Sequence, residues 1–289
     1  MSRDDAKRRA GDLSAQIDTA IPATLLLGQM WCYAATVLYP ARLLRLLNVY
    51  QPNAVGTRPS APRGAGAGPF FSLRQRAPSY LEQPVGDASV DYFDTIAAVY
   101  DCCVQPFTRP IFDQAATLLK ELLPPAARVL DAGCGPGTET LLLARLVPDG
   151  EVVGIDLAAG MVKTAFDTAR RRGVRNVAFF QADVAALPQE FGGRFDAVVS
   201  FGAFHHYPDP AAALREMHRV LSEHGRAVVI DPGPGWFKAL GTPWAKWADP
   251  GWVSFYTAEE LQRLFTAAGF SQFYWNEVLP GFGLTVADR

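Results

Sequence analysis

Two acidic residues that end apolar segments, with a glycine-rich turn after the first, form the pattern in this chain that is most suited to chemistry. Asp131 ends the first apolar run, and glycines follow it at alternate positions: Gly133, Gly135 and Gly137. Nineteen residues beyond Gly137, a second apolar run ends in Asp156. A glycine turn lets a ligand lie against bare backbone, and an acid at that distance can accept hydrogen bonds from ribose hydroxyls. The pattern predicts a nucleoside-binding site.

The spacing of the glycines distinguishes between nucleotide cofactors. Dinucleotide sites read G-x-G-x-x-G, which places a helix N-terminus against a pyrophosphate. Here the order is G-x-G-x-G, with Pro136 inside the turn and Asp131 just before it. An acid in that place would repel a pyrophosphate but suits a cationic amino-acid group. The residues therefore indicate an adenosine ligand without phosphates.

The turn and its surroundings resemble a known family. Residues 129–138, Val-Leu-Asp-Ala-Gly-Cys-Gly-Pro-Gly-Thr, resemble motif I of the class I S-adenosylmethionine-dependent methyltransferases, and residues 154–161 resemble that family's second motif. Residues 204–210, Phe-His-His-Tyr-Pro-Asp-Pro, resemble a loop of the branch that includes ubiquinone and menaquinone C-methyltransferases. The resemblance extends over roughly residues 91–289. It implies S-adenosylmethionine as the cofactor.

The resemblance also implies roles for residues at the ends of strands. The cofactor-binding residues that it predicts are Asp131, Gly133, Gly135, Gly137, Asp156, Leu157, Asp183, Val184 and Phe201. Asp131, Gly133 and Gly135 would hold the methionine part, and Gly137 would begin the helix above it. Asp156 would bind the ribose hydroxyls, Asp183 the adenine amine and Val184 the adenine ring. Phe201 would lie near the methyl group.

A general base is needed only if the acceptor must lose a proton. His205 and His206 are the candidates, since they follow the fourth strand and an imidazole titrates near the operating pH. The alternative is that this histidine pair only shapes the cofactor pocket. His218 and His224 are interpreted as bystanders.

Aromatic residues suggest the class of acceptor. An insert after the fifth strand, about residues 232–256, holds four of the six tryptophans. The predicted substrate-binding residues are Tyr92, Tyr100, Trp236, Trp244, Trp252 and Tyr256. An aromatic lid favours an apolar acceptor and excludes water. The insert therefore predicts a lipophilic acceptor such as an isoprenoid, quinone precursor, polyketide or lipid, although an ordinary second core under a long loop would give the same composition.

Composition limits the remaining function classes. The net charge is −2, which does not favour nucleic acid as a partner. The four cysteines have neither metal-ligand nor disulfide spacing, so no metal is expected and a cytoplasmic location fits best. Two alternatives to methyl transfer stay open: a cyclase or pericyclase that uses the bound cofactor to orient its substrate, and a non-catalytic membrane-associated protein. The intact motifs disfavour the second of these.

The elements that must position these residues alternate between strand and helix from about residue 91 onward. The predicted strands are 128–132, 151–156, 177–181, 197–201, 227–231, 273–278 and 283–287, and the predicted helices are 110–122, 138–147, 159–172, 210–221 and 257–268. A further helix is predicted over residues 90–101. This alternation predicts an α/β fold with a Rossmann-like, doubly wound, seven-stranded sheet. Its strand order is implied by the resemblance.

The chain divides into three regions. Residues 1–52 are predicted to form an apolar, helical N-terminal extension and residues 53–90 a linker rich in proline and glycine. Residues 91–289, which carry the resemblance, are predicted to form the methyltransferase domain, with the aromatic insert within it. Residues 21–39 carry no charge and are long enough to span a bilayer in principle. A helix that packs against the domain or caps the substrate is favoured, and peripheral membrane contact through residues 21–47 or a true span stays open. The oligomeric state is not predicted.

Overall fold

The computed structural model describes residues 100–233, 251–279 and 282–289, with residues 90, 93, 94 and 97 before them. The predicted N-terminal extension, most of the linker and most of the aromatic insert lie outside these residues. Tyr92, Trp236 and Trp244 lie outside them as well. None of the helices in the described residues is both long and apolar enough to cross a bilayer.

Seven strands form one mixed sheet, which confirms the predicted fold. In chain order they are β1 (Arg128–Ala132), β2 (Glu151–Asp156), β3 (Val177–Gln181), β4 (Phe195–Phe201), β5 (Leu221–Pro232), β6 (Ser271–Leu279) and β7 (Phe282–Asp288). Their order in the sheet is β3-β2-β1-β4-β5-β7-β6. The first five strands pair in parallel, and β7 runs antiparallel to both of its neighbours.

Helices cover both faces of the sheet. They are α1 (Tyr100–Leu122), α2 (Thr138–Leu146), α3 (Ala159–Arg172), α4 (Pro210–Val220) and α5 (Ala258–Ala267). One apolar core lies between the sheet and the α4 and α5 helices, with Leu214 and Phe265 at its centre. A second core lies on the opposite face and includes Phe112 and Leu119 of α1. Covering both faces explains why the central strands read as continuous apolar runs.

The sequence prediction was wrong about the start of α1. A helix ending near residue 101 and a new one beginning at Pro110 were expected, but α1 runs without interruption from Tyr100 through Pro106 and Pro110. A proline inside a helix removes one hydrogen bond and costs about 3 kcal/mol. The apolar face of α1, which is buried against the sheet at Phe112, Ala115 and Leu119, offsets this cost.

The predicted ends of two other helices are confirmed by their capping residues. The Oδ1 atom of Asp209 accepts a hydrogen bond of 2.8 Å from the backbone of Ala212, and Pro210 occupies the first turn of α4. Gly173 ends α3 with a φ of 67°, which is the left-handed conformation that glycine permits. Asp209 is therefore a structural residue.

The strand order reverses beside β1, and this reversal places the site. The chain moves from β1 outward to β2 and β3, and then returns to pair β4 with the other side of β1. In such sheets the crevice at the carboxyl ends of the strands binds ligands. Asp131, Asp156 and Asp231 all lie at this edge, in or at the ends of β1, β2 and β5.

Gly137 is required where α2 approaches α3. Its φ is +88°, and a Cβ atom there would lie 2.7 Å from the Cβ and 2.9 Å from the Cα of Ala165. We expect Gly137→Ala to lower the free energy of unfolding by about 2–4 kcal/mol, from overpacking and left-handed strain together.

Urea denaturation measures this loss, with Gly173→Ala as the matched control. Gly173 also has a positive φ, of 67°, but no atom lies within 4 Å of its added Cβ. The control should therefore lose only about 1–2 kcal/mol through backbone strain. Equal losses in the two variants would contradict a role for the contact with Ala165.

Candidate active site

The turn after β1 is held by hydrogen bonds to the neighbouring strand. The amides of Gly133 and Cys134 donate to the carbonyl oxygen of Ile155 at 2.9 and 2.8 Å. Within the turn, the amide of Gly137 donates to the carbonyl oxygen of Cys134 at 3.0 Å. Gly133 approaches the loop after β4 so closely that a Cβ atom would lie 2.5 Å from the Cβ of Ala203. The turn is a fixed scaffold rather than a free loop.

Gly135 faces open space at the top of this turn. Its φ is +50°, and no heavy atom lies within 4 Å of the position that a Cβ would occupy. Glycine is therefore not needed here to avoid a neighbour within the described protein, in contrast to Gly133 and Gly137. The open space is a cradle in which a ligand can lie against bare backbone.

We expect Gly135→Ala to weaken the binding of S-adenosylhomocysteine by about 10- to 100-fold, because the added methyl group would occupy the cradle. Isothermal titration calorimetry measures this affinity. The free energy of unfolding should fall no further than in Gly173→Ala, since both glycines have a positive φ and open surroundings. Unchanged affinity would show that no ligand lies over Gly135.

Asp156 joins this turn to the start of α3. Its Oδ2 atom accepts from the amide of Gly135 at 2.9 Å, and its Oδ1 atom accepts from the amide of Ala158 at 2.9 Å. Burial raises the pKa of the Asp156 carboxyl, while the two amide hydrogen bonds and the nearby His206 oppose that rise. Each carboxylate oxygen has a further lone pair, so the side chain can still accept hydrogen bonds from two ribose hydroxyls.

Asp131 is a buried acid beneath the turn. It is 1% exposed, and Thr140 of α2 donates a 2.5 Å hydrogen bond to its Oδ2 atom. Burial raises the pKa of Asp131 to about 7; the Thr140 hydrogen bond opposes this rise and the charge of Asp156 adds to it. Sequence reasoning missed Thr140. The one sequence feature that could have indicated its contact with Asp131 is its position, two residues inside the helix that follows the turn.

This raised pKa predicts a proton release on cofactor binding. A cationic amine favours the ionised carboxyl, so at pH 6 the wild-type chain should release most of one proton per S-adenosylmethionine bound, because the pKa of Asp131 is about 7. Titrations in buffers of different ionisation enthalpy measure the release, and Asp131→Asn should abolish it. Equal release by both proteins would contradict the assignment.

The raised pKa of Asp131 also makes the stability of the folded chain depend on pH. Because the folded-state pKa lies above the ordinary value, the neutral acid favours the folded ligand-free chain at low pH. This contribution is complete below about pH 4 and is lost as the pH rises through about 7.

The residues predicted to hold the adenine, Asp183 and Val184, lie in the loop after β3. The amide of Ala182 donates to the carbonyl oxygen of Asp156 at 3.0 Å, which fixes the loop after β3 beside the turn after β2. The Oδ1 atom of Asp183 accepts from the amide of Ala185 at 2.8 Å, and Val184 is buried. The carbonyl of Leu157 accepts from the side chain of Gln181 at 3.0 Å. The structure thus brings these residues to the edge that Asp156 occupies.

Phe201 has a different setting from these residues. Phe201 is 9% exposed and lies within the core beneath α1. The centroid of its ring is 5.1 Å from that of the Phe112 ring, and the two rings meet edge to face. This packing accounts for its burial, and its contact with the cofactor stays a prediction. Tyr100 lies at the start of α1, half-buried, with its ring 6.4 Å from that of Phe93.

The two histidines occupy a short 3-10 turn, residues 204–206, directly after β4. His205 is 2% exposed, and its Nδ1 atom lies 2.9 Å from Oδ1 of Asp231 at the end of β5. The His205 ring packs against those of His206 and Trp252, with both pairs of ring centroids 4.0 Å apart and the ring planes tilted by 47° and 32°. His206 is half-buried and meets the ring of Phe93 edge to face at 5.0 Å. The two imidazoles are adjacent but differ in burial and in their partners.

Sequence reasoning missed Asp231. It is 6% exposed, and burial raises the pKa of its carboxyl well above the usual range, while the charge of His206 and hydrogen bonds from the backbone of Phe204 and His205 favour the ionised form. The signal that could have found it is the one that marked Asp131 and Asp156: an acid at the end of an apolar parallel strand.

Tyr207 ties the histidine loop to β1. Its hydroxyl donates to the carbonyl oxygen of Ala132 at 2.8 Å and lies 3.0 Å from the hydroxyl of Ser200. Burial raises the pKa of this phenol well above its usual range, so it stays neutral. The backbone carbonyl of His205 also accepts from the amide of Val253 at 2.9 Å, which fastens the described end of the aromatic insert to the loop.

A small cavity, with room for about one water molecule, lies at the carboxyl end of β5. Its lining is mainly apolar and includes Phe204, Asp231, Tyr256, Leu261 and Trp275. The Tyr256 ring meets that of Phe204 edge to face at 5.2 Å, and burial raises the pKa of its phenol to about 12. Among the described residues, no group donates to Oδ2 of Asp231. A buried carboxylate oxygen beside a cavity is a site for a hydrogen-bond donor.

Comparison with known proteins identifies the family. Residues 123–269, about half of the chain, match the model of a methyltransferase domain. The chain therefore belongs to the methyltransferase-domain family. Its fold and its motifs are those of the class I S-adenosylmethionine-dependent enzymes.

Individual relatives agree with this membership. A demethylmenaquinone methyltransferase of Thermus thermophilus is 41% identical over 107 residues, which cover 37% of this chain and 48% of the relative. A nocamycin O-methyltransferase of Saccharothrix syringae is 35% identical over 144 residues, which cover 49% and 50% of the two chains. The chain thus spans about half the length of these relatives. The crystal structure of the Bacillus subtilis YcgJ protein superposes with a TM-score of 0.51 at 28% identity, covering 57% of this chain and 73% of that one.

S-adenosylmethionine, the cofactor of this family, fits the residues present. The open cradle at Gly135 gives room beside the backbone, and Asp156 offers lone pairs to ribose hydroxyls. Asp131 supplies an acid for a cationic amine, and the neighbouring loop after β3 carries Asp183 for an adenine amine.

Proposed function

We propose that this chain transfers a methyl group from S-adenosylmethionine to an oxygen or carbon atom of a lipophilic small molecule. The observation that carries this proposal is the buried pair of His205 and Asp231, which lies at the edge of the sheet that holds the cofactor turn. A buried imidazole oriented by a carboxyl is suited to receive a proton from an acceptor.

The hydrogen bond to Asp231 determines which histidine nitrogen can act. A proton held on Nδ1 by the Oδ1 atom of Asp231, 2.9 Å away, makes Nε2 the basic nitrogen of the neutral imidazole. The proton of an acceptor hydroxyl or activated C–H group passes to Nε2. The imidazolium that forms is stabilised by the Asp231 carboxylate, whose ionised form is favoured, against the effect of burial, by the charge of His206 and by the backbone hydrogen bonds of His205 and Phe204. The cofactor supplies an electrophilic methyl group; when the acceptor bonds to it, the methyl–sulfur bond breaks and S-adenosylhomocysteine is left.

Burial makes this arrangement effective. His205 and Asp231 are 2% and 6% exposed, and Trp252, packed against His205, is 6% exposed. Electrostatic interactions are stronger where water is excluded. Asp231 therefore orients His205 and stabilises its charged form without competition from solvent.

The small cavity beside Asp231 favours an acceptor that brings a hydrogen-bond donor to an apolar surface. Phe204, Leu261 and Trp275 offer apolar surface, and Oδ2 of Asp231 offers a buried acceptor atom. A phenol or enol on a hydrophobic skeleton matches this lining. The names of two relatives, a demethylmenaquinone and a nocamycin methyltransferase, support the same class of acceptor.

Transfer of radioactivity tests the proposal. The full chain is incubated with S-adenosylmethionine labelled in the methyl group and with lipophilic fractions of an extract from the producing organism. We expect labelled material in an organic phase with the wild-type chain, and none with Asp156→Ala, the variant expected to lose the donor. A chain that binds the cofactor and consumes a lipophilic compound without labelling it would instead be a cyclase or pericyclase. Binding without any product would contradict both activities.

A further inference from the structure

The indole ring of Trp252 lies close to one of the two imidazoles and nearly parallel to it. The ring centroids of Trp252 and His205 are 4.0 Å apart, and the ring planes are tilted by 32°. Trp252 also contacts His206, but that pair is 5.8 Å apart and its planes are almost perpendicular, at 74°. His205 is therefore the imidazole that lies over the indole.

Two kinds of contact hold the indole in this place. The amides of Val253 and Ser254 donate to the backbone carbonyl oxygen of His205 at 2.9 and 3.4 Å, which fixes the chain beside Trp252 to the histidine turn. The ring of Phe255 lies 4.6 Å from that of Trp252, and both residues are 6% exposed. The described protein thus sets the position of the indole relative to His205.

An indole in this position distinguishes between the two protonation states of an imidazole. The face of an aromatic ring attracts a cation whose distance from the ring centroid is below about 6 Å, and tryptophan does so most strongly. The attraction grows where water is excluded, and His205 is only 2% exposed. The indole should therefore favour the imidazolium of His205 over the neutral ring.

We infer that Trp252 is a positioning residue for the base: its indole orients the His205 ring and stabilises the imidazolium that forms when the acceptor loses its proton. This inference rests on the proposed function, since it takes His205 as the base. The sequence predicts that Trp252 contacts the acceptor, whereas here it acts on the reaction through His205. The indole and the Asp231 carboxylate would then stabilise the same charge from different sides.

Other titratable groups around His205 must be kept constant in any test of this role. Its Nδ1 atom lies 2.9 Å from Oδ1 of Asp231 of β5, and its ring is 4.0 Å from that of His206 in the same turn. The nearby phenols stay neutral, because burial raises the pKa of Tyr207 well above its usual range and that of Tyr256 to about 12. Replacing only the indole leaves all four groups in place.

The test is the titration of the His205 ring in the full chain, followed by NMR with isotope-labelled histidine. The chain has four histidines, and the signal that disappears in His205→Gln identifies the one of interest. We expect Trp252→Leu to lower the midpoint of this titration by about one pH unit, because the attraction to the protonated ring is lost. Trp252→Phe keeps a weaker aromatic face and should lower the midpoint by less.

The direction of the change separates this role from simple packing. Water that enters where the indole was removed would favour the charged ring and raise the midpoint. An unchanged or raised midpoint in Trp252→Leu would therefore overturn the inference. Phe255→Leu is the matched control, because it removes a ring of equal exposure from the same buried cluster. It should change the midpoint much less than Trp252→Leu does.

Kinetics of label transfer provide a second measurement. Trp252→Leu should lower kcat by about 3- to 10-fold with the KM of the acceptor near wild type, since a weaker base transfers the proton more slowly. The acidic limb of the pH–rate profile should move to lower pH, because the base loses its own proton at lower pH. A raised KM with unchanged kcat would show that Trp252 binds the acceptor directly, and would overturn the inference.

The outcomes also separate this inference from the proposed function. If His205→Gln slows methyl transfer but the titration in Trp252→Leu matches wild type, the role of Trp252 is wrong and the function stands. If wild type transfers no label to any acceptor, the proposed function is wrong and the role of Trp252 in catalysis is wrong with it, whatever the titration shows.

Discussion

Replacing Asp156 with alanine should weaken the binding of S-adenosylhomocysteine by about 100-fold or more. The carboxylate accepts from the amides of Gly135 and Ala158, both at 2.9 Å, and is predicted to accept from two ribose hydroxyls as well. A hydrogen bond to a charged group contributes about 1.5–3 kcal/mol, so losing the two to ribose alone reaches this magnitude. The turn at Gly135 also loses its tether in this variant.

Calorimetry on the full chain measures this loss, with two variants that locate its cause. Asp156→Asn keeps one acceptor oxygen and should lose less affinity than Asp156→Ala. Asp167→Ala removes an exposed carboxylate of α3 that pairs with Lys163 at 3.0 Å, and should stay within about 2-fold of wild type. Wild-type affinity in Asp156→Ala would contradict the ribose assignment.

Replacing Asp231 with asparagine should slow methyl transfer by about 100-fold or more while leaving the affinity for S-adenosylhomocysteine nearly unchanged. General-base catalysis contributes about 10²–10⁴ in rate. An asparagine amide can donate to Nδ1 of His205, which would stabilise the tautomer whose Nε2 carries the proton. His205 would then keep its position and lose its function as a base.

Initial rates of label transfer, with the acceptor fraction found above, measure this effect. His205→Gln should be as slow as Asp231→Asn, and the double variant no slower than either, since two residues that act as one unit are not additive. His206→Gln provides the matched comparison, because His206 is the adjacent imidazole. If transfer survives in His205→Gln but fails in His206→Gln, His206 is the base and the assignment to His205 is wrong.

Much of the fold could be predicted from local sequence signals. The bounds of β1, β2 and β3 and of α3 agree with the prediction because apolar runs end there in acids, polar residues or glycine. The start of α1 could not be predicted, since Pro106 and Pro110 signal a break and only packing against the sheet overrides them. The early start of β5 at Leu221 depends likewise on pairing with Phe195, which no local pattern specifies.

The candidate site likewise contains residues that local sequence signals predict and contacts that they do not predict. The turn, Asp131 and Asp156 are recognisable because each follows from one stretch of chain. The bond between His205 and Asp231 joins residues that are 26 positions apart, and the bond between Tyr207 and Ala132 spans 75 positions. Such pairs arise only when parallel strands bring their carboxyl ends to one edge. Asp231 could have been proposed as a strand-end acid, but its partner could not.

A crystal structure of the full chain with S-adenosylhomocysteine tests the proposed site most directly. We expect the ribose hydroxyls within hydrogen-bond distance of the Asp156 carboxylate, the adenine beside Asp183 and the amino-acid group over Gly135. The sulfur atom should face the side of the site where His205, Asp231 and the cavity at the end of β5 lie. A nucleoside bound away from Asp156, or a sulfur atom facing away from Asp231, would contradict the proposed site.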